Sequence, residues 1–185
     1  MTETSIVQTP AIDAAHFLLM HRLARSHFKI DMLSHQPQGN TVLASNLRGH
    51  SLADAAKTIV VRVKITRKKR RYVLAVVCGH RRVNLDKVAR CFGGVDARFA
   101  DPAIAFALTG CVSGSVIPLC LHDEVPVIAD FEVLERASLW FNSGRLDHSV
   151  GLRTADWVAL ARPRLEAIAE MDPENSLPVR EFAFI

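Results

Sequence analysis

Residues 58–78 leave this chain few folds to choose from. From Thr58 to Ile65 the side chains alternate, with Ile59, Val61, Val63 and Ile65 on one side and Thr58, Arg62 and Lys64 on the other. That period of two belongs to a strand with one buried face. Tyr72 to Cys78 is apolar without a break, which predicts a strand covered on both faces near the middle of a sheet. Between them Thr66-Arg67-Lys68-Lys69-Arg70-Arg71 is too charged to bury and reads as the tip of a hairpin. A hairpin whose second strand is central needs further strands beside it and cover on both sides.

The rest of the chain supplies both. Ile12, His16, Leu19, Met20 and Leu23 recur at helical spacing after Thr9-Pro10, and the helix should end near Arg25-Ser26. A short strand over 27–33 is followed by residues 34–49, which read as a loop because of Pro37, Gly39 and several asparagines. Residues 51–56 read as a short helix ending at Lys57, just before the first hairpin strand. Asn84 caps a helix whose Leu85, Val88, Ala89 and Phe92 share a face and which Gly93-Gly94 stops. Strands are expected over 95–99, 125–129, 138–141 and 149–152, with a helix over 103–108 opened by Asp101-Pro102. Thr154 opens a C-terminal helix carrying Trp157, Leu160, Ala161, Leu165 and Ile168, which Pro163 should kink or divide. Strands and helices mixed without strict β-α-β alternation predict an α+β fold or mixed sheet rather than a doubly wound parallel one.

Composition narrows the function classes. With 49% apolar and 23% charged residues the chain is of the ordinary globular type, and 185 residues suit a single domain. No long apolar run and no leader-like segment in Met1 to Pro10 argue against a membrane span or secretion. Cys78, Cys91, Cys111 and Cys120 lack C-x-x-C spacing, so a reducing cytoplasm is expected. Cys78 with His80, and Cys120 with His122, do not reproduce zinc-site spacings, so neither a metal nor a cofactor is expected. The net charge of +4 is modest, but its clustering favours a polyanionic partner.

Three segments invite chemistry. Thr109-Gly110-Cys111-Val112-Ser113-Gly114-Ser115-Val116-Ile117-Pro118 is too rich in glycine for a helix and too apolar for a flexible linker. Loop glycines are usually turn chemistry, so by itself the segment reads first as a tight connection between a helix and a strand, with a cradle of backbone N–H groups for an oxyanion or phosphate as the alternative. Cys111 within it is either a nucleophilic thiolate, which would make the protein a hydrolase of some other ester, or a small hydrophobe. Lys57 places an ammonium where the pattern turns apolar, as a point charge for phosphate or carboxylate or as a snorkelling side chain. Arg67, Lys68, Lys69, Arg70 and Arg71 lie on the order of 30 Å from Lys57 along an extended strand. A ligand touching both must be long, as a nucleic acid is; otherwise the tip is a solvated turn. The nucleophile elbow, Walker loop and dinucleotide fingerprint are all missing from the sequence.

Taken in order, Ala56-Lys57-Thr58-Ile59-Val60, Asn84-Leu85-Asp86-Lys87-Val88-Ala89, the T-G-x-x-x-G-x-x-x-P loop and Asn142-Ser143-Gly144 resemble the YbaK/ProX-type editing domains. These are free-standing relatives of the prolyl-tRNA synthetase editing insertion. The resemblance covers residues 41–169 as an editing core and leaves 172–185 as a C-terminal extension. It implies an α+β domain with a curved, partly barrel-like mixed sheet flanked by helices. It also implies a trans-editing deacylase that cleaves a wrong, small amino acid such as serine, threonine or alanine from a tRNA. A cysteine-specific deacylase of the same family, or a non-catalytic tRNA- or nucleotide-binding module of that fold, are the alternatives.

By the same resemblance Lys57 holds the phosphate of the terminal adenosine, and the backbone at Gly114 and Ser115 binds the ester carbonyl. Pro118 keeps the loop rigid, and Gly144 lets the acceptor end approach. Thr58, Cys111, Ser113 and Asn142 shape the substrate site; separately, the charge of the hairpin tip predicts that Arg67, Lys68, Lys69, Arg70 and Arg71 contact the tRNA body away from the 3′ end. Relatives carry a histidine near the late glycine, where this chain has Asn142 before and His148 after. The implied partners are misacylated tRNA and an aminoacyl-tRNA synthetase, with no membrane.

Overall fold

The structure is a computed structural model and describes residues 13–121 and 125–170. The extension over 172–185, the helix start at Thr9-Pro10 and His122 lie outside the described residues. In chain order the strands are β1 (Ile30–Ser34), β2 (Ala56–Lys64), β3 (Arg70–Cys78), β4 (Asp96–Phe99), β5 (Val127–Ala129), β6 (Ser138–Asn142), β7 (His148–Arg153) and β8 (Arg164–Leu165). The helices are α1 (Ala14–Ala24), α2 (Thr41–Arg48), α3 (Leu85–Cys91), α4 (Pro102–Thr109) and α5 (Thr154–Ala161).

The β2–β3 hairpin pairs Ala56 with Cys78 through to Lys64 with Arg70, and β3 sits at the centre of a five-stranded mixed sheet ordered β4-β2-β3-β5-β8. Its two faces serve two cores, which is why its sequence is apolar throughout. Leu74, Val76 and Cys78 join α1, α5 and the inner face of β6 and β7, while Val73, Ala75 and Val77 pack with Val61, Val63, Val88 and Ile168. A second, antiparallel sheet runs β1-β7-β6. The two sheets meet at a bridge between Ala55 and Trp140. The expected α+β class and mixed sheet are present, but among the described residues the strands form two sheets and their ladders do not close into a barrel.

Three local expectations need correction. Residues 41–48 are a helix, not part of a loop: the Asn40 side chain accepts from the N–H groups of Val42 and Leu43, and Gly49 ends the helix at φ 70°. Only Ala44 and Ser45 of α2 are buried, so no apolar periodicity announced it. Lys57 lies within β2 rather than before it, because the predicted helix is a single 3-10 turn, Leu52–Asp54, and the strand begins at Ala56. The C-terminal helix stops at Ala161, where Arg162 adopts φ 45° ahead of Pro163. Leu165 instead pairs in β8, parallel to β5, and Asp130 receives the N–H groups of Ile168 and Ala169 at 2.8 and 2.7 Å.

One consequence of the strand lengths positions the site. β4 pairs only with Val61 to Lys64, because Asp101 caps α4 immediately afterwards. The Ala100 N–H still donates to Val60 O at 2.9 Å, but the edge of β2 from Ala56 to Ile59 is left without β4 beside it, and a cavity opens there.

Candidate functional site

The cavity has a volume of about 390 Å³ and lies at the junction of the two sheets. The open edge of β2 forms one wall with Ala56, Lys57, Thr58 and Val60. Trp140, Phe141 and Asn142 at the end of β6 form another, and α2 contributes Thr41, Ala44 and Arg48. The glycine loop closes a third side through Cys111, Ser113, Gly114 and Val116. Its lining holds two cations, Arg48 and Lys57, and no carboxylate.

The loop is held from both ends. Gly110 ends α4 at φ 67°, and the Thr109 hydroxyl accepts from the Cys111 N–H at 3.1 Å. At the exit, the buried Trp157 indole of α5 donates to the Pro118 carbonyl at 2.9 Å. Between these anchors Gly114 adopts φ 85°, and a Cβ there would lie 2.5 Å from Gly39 Cα and 2.6 Å from Gly39 O. Glycine is required both by the left-handed backbone and by the contact with the segment before α2. Among the described residues, the N–H groups of Ser113 and Gly114, both exposed on the cavity wall, donate to nothing in the protein.

Asn142 fastens these pieces together. Its Nδ2 donates to Gln38 O at 2.8 Å and to Gly114 O at 2.9 Å, so both amide protons are committed to the two loops. Its Oδ1 accepts from Arg48 Nη2 at 2.6 Å. Arg48 Nε donates to Ser149 Oγ at 2.8 Å, and Ser149 Oγ lies 2.7 Å from His35 Nε2. His35 Nδ1 sits 2.8 Å from Gln36 O, and the Ser149 hydroxyl donates to Asn142 Oδ1 at 3.1 Å, which closes the network on the same amide. Burial lowers the Arg48 pKa to about 10, which leaves the guanidinium charged at neutral pH.

Lys57 is placed differently. Its Nζ donates to the carbonyls of Gly79 and Arg81, which leaves one N–H of the ammonium uncommitted. Burial is the main cause of its lowered pKa, with the neighbouring Arg82 charge acting in the same direction.

Of the residues singled out in the sequence, Lys57, Thr58, Cys111, Ser113, Gly114 and Asn142 come together around the cavity. Ser115 does not line it: the residue is fully buried, and its N–H and hydroxyl both donate to Val112 O at 3.0 Å. Pro118 lies behind the loop. Gly144, at φ 89°, packs under α1, where a Cβ would meet His16 N at 3.0 Å. His148 points the same way, with Nδ1 2.8 Å from Asp147 Oδ1 and its ring 5.6 Å from that of His16. The cationic tip lies at the far end of the hairpin, seven residues of strand or roughly 23 Å from Lys57. Burial pushes the Cys111 thiol pKa up, the opposite of what a thiolate nucleophile needs.

Arg48 was missed because residues 34–49 read as a loop. The signal was present in Asn40 and Gly49, the two caps of an eight-residue helix whose last turn carries a single basic side chain. Among the described residues no cluster of three or more His, Cys, Asp or Glu side chains is arranged to hold a metal ion, and no helix is long and apolar enough to cross a membrane.

The chain is similar in sequence and in fold to known proteins. The chain is 34% identical over 151 residues to the multifunctional Ser/Thr-tRNA deacylase ProXp-y of Escherichia coli (strain K12), covering 81% of this chain and 90% of that protein. The solved structure of the hypothetical protein APE2540 superposes with a TM-score of 0.74 at 19% identity, covering 83% of this chain and 99% of that one. A structure described as a candidate trans-editing enzyme for prolyl tRNA synthetase gives 0.72 at 22% identity, over 88% and 99% of the two chains. Residues 35–160, which hold the open strand edge, α2, the glycine loop and Asn142, match the model of the aminoacyl-tRNA editing domain, and the chain belongs to that family.

Proposed function

We propose that this protein is a trans-editing deacylase that hydrolyses the ester between a wrong, small amino acid, serine or threonine foremost, and the 3′ end of a tRNA. The observation that carries the reading is the cavity wall at Ser113 and Gly114, where two uncommitted peptide N–H groups stand in a rigid loop beside two cations. An aminoacyl ester is already activated, so hydrolysis needs a positioned water and stabilisation of the tetrahedral oxyanion more than a strong nucleophile. The Gly114 N–H is the donor for that oxyanion. The remaining N–H of Lys57 faces the phosphate of the terminal adenosine, and the adenosine's own ribose hydroxyl assists the water.

Thr58, Cys111 and Ser113 bound a space for a small side chain, the class of error that synthetase pockets reject poorly. Synthetases that make such errors are the source of the mischarged tRNA. The exposed tip from Arg67 to Arg71 meets the tRNA body, too far from Lys57 to share its phosphate.

The test is a panel of tRNAs charged with serine, threonine, alanine and cysteine. Serine and threonine should be released well above the spontaneous rate, and Lys57→Ala should slow release about ten-fold or more by removing a charge-assisted contact. Tight tRNA binding with no release from any member of the panel would identify a non-catalytic module instead. Release of cysteine alone would identify the cysteine-specific branch.

A further inference from the structure

We propose that Arg48 forms a second anion-binding contact in the junction cavity and receives the 5′ phosphate of the tRNA's terminal nucleotide. The inference rests on the deacylase reading for the identity of the ligand, but on the geometry of Arg48 for the site itself.

Arg48 is a cation with no counter-charge. Its guanidinium is held on one side by Ser149 Oγ and Asn142 Oδ1, both neutral acceptors. No carboxylate among the described residues pairs with it, and burial alone perturbs its titration. A guanidinium has five N–H donors; two are used here, leaving both protons of Nη1 and one of Nη2. Taking such a group out of water without an anion is costly, and buried charges are as a rule paired, so an anionic ligand would supply the partner that the protein does not. Two neutral anchors also fix the plane of the fork, so a tetrahedral oxyanion can be met by two parallel N–H bonds at little further loss of side-chain freedom.

The charge balance of the cavity selects the anion. The aminoacyl group carries a cationic amine and no carboxylate, so it brings nothing that could neutralise two cations in a site with no acid. The phosphate is the ground-state anion nearest to the ester in a tRNA 3′ end. Lys57, already bonded to Gly79 and Arg81, has one donor left for it; Arg48 has three.

The proposal is tested by titrating adenosine 5′-monophosphate and adenosine, in turn, into the full-length protein and following the backbone amide resonances of Gly114 and Ala56. The wild type should bind the monophosphate at least about ten-fold more tightly than the nucleoside, the size expected for a charge-assisted contact. Arg48→Gln should lower the preference for the monophosphate several-fold, to what the single remaining Lys57 donor supplies, and Arg48→Lys, which keeps the charge but not the fork, should recover part of the loss. Thermal melting confirms that both variants are folded. Equal binding of the two ligands by the wild type, absence of monophosphate binding, or an undiminished preference in Arg48→Gln would each overturn the proposal. A fall in kcat for seryl-tRNA with the monophosphate preference intact would also overturn it, placing Arg48 at the reacting carbonyl. Because the titration needs no turnover, failure of the protein to deacylate any tRNA would count against the deacylase reading without deciding this one.

Discussion

Asn142 donates to the carbonyl of Gly114 at 2.9 Å across a sequence separation of 28 residues, and through this bond β6 sets the position of the glycine loop. The same side chain holds Gln38 and Arg48, so one amide fixes three walls of the cavity. Its role is to position the groups that meet substrate.

Asn142→Ala should therefore damage activity more than stability. Two carbonyls, a guanidinium and the Ser149 hydroxyl lose a partner, at a cost of about 1–3 kcal/mol for each group that water cannot reach. The loop is then free to shift by an ångström, which at a reacting carbonyl is expected to lower deacylation about a hundred-fold. Rate constants and melting temperatures for the variant check both parts.

Gly114→Ala tests the loop itself. A side chain at φ 85° costs about 1–3 kcal/mol, and here the Cβ also meets the backbone of Gly39, which cannot swing aside as a flexible side chain would. A fall in Tm of roughly 3–10 °C is expected, with deacylation lost well beyond the loss of folded protein. Full activity at a normal Tm would show that the loop does not need this conformation.

The acid side of the stability profile should carry a mark from His16. Its pKa is lowered from the ordinary 6.5, first by burial and then by the charges of His148 and Arg145, against the opposing effects of Ser143 and Asp13. The unfolded chain therefore binds this proton more readily than the folded one. Stability should fall as the pH drops below about 6.5 towards the lowered native value, and level off beneath it. His16→Asn, which keeps a donor near Ser143 O and Oγ, should flatten that part of the profile in thermal melts between pH 7 and pH 5. An unchanged slope would mean that other groups set it.

Lys68→Ala combined with Lys69→Ala should weaken tRNA binding and reduce the slope of log K against log salt by about 1–2, the counterions of one or two phosphates. Deacylation of a short acceptor-stem fragment should be untouched, because the tip lies at the far end of the hairpin from the cavity. The same salt slope in wild type and variant would make the tip a solvated turn.

Much of this molecule could be read along the chain because the relevant forces are local. Alternation in β2, the unbroken apolar run of β3 and the caps at Asn84 and Asp101 each record a backbone preference or a burial pattern within a few residues. The order of Lys57, the glycine loop and Asn142 likewise pointed to the family. Where the pattern was faint, reading failed: α2 buries too little to show a period, and β8 is two residues long and exists only because β5 offers an edge. What the tertiary structure alone decided is which groups meet. The short β4 leaves the upper edge of β2 open, Asn142 brings Arg48 and Gly114 together, and packing under α1 turns Gly144 and His148 away from the cavity. Those contacts join residues far apart in sequence, and their energies depend on distances that no local pattern encodes.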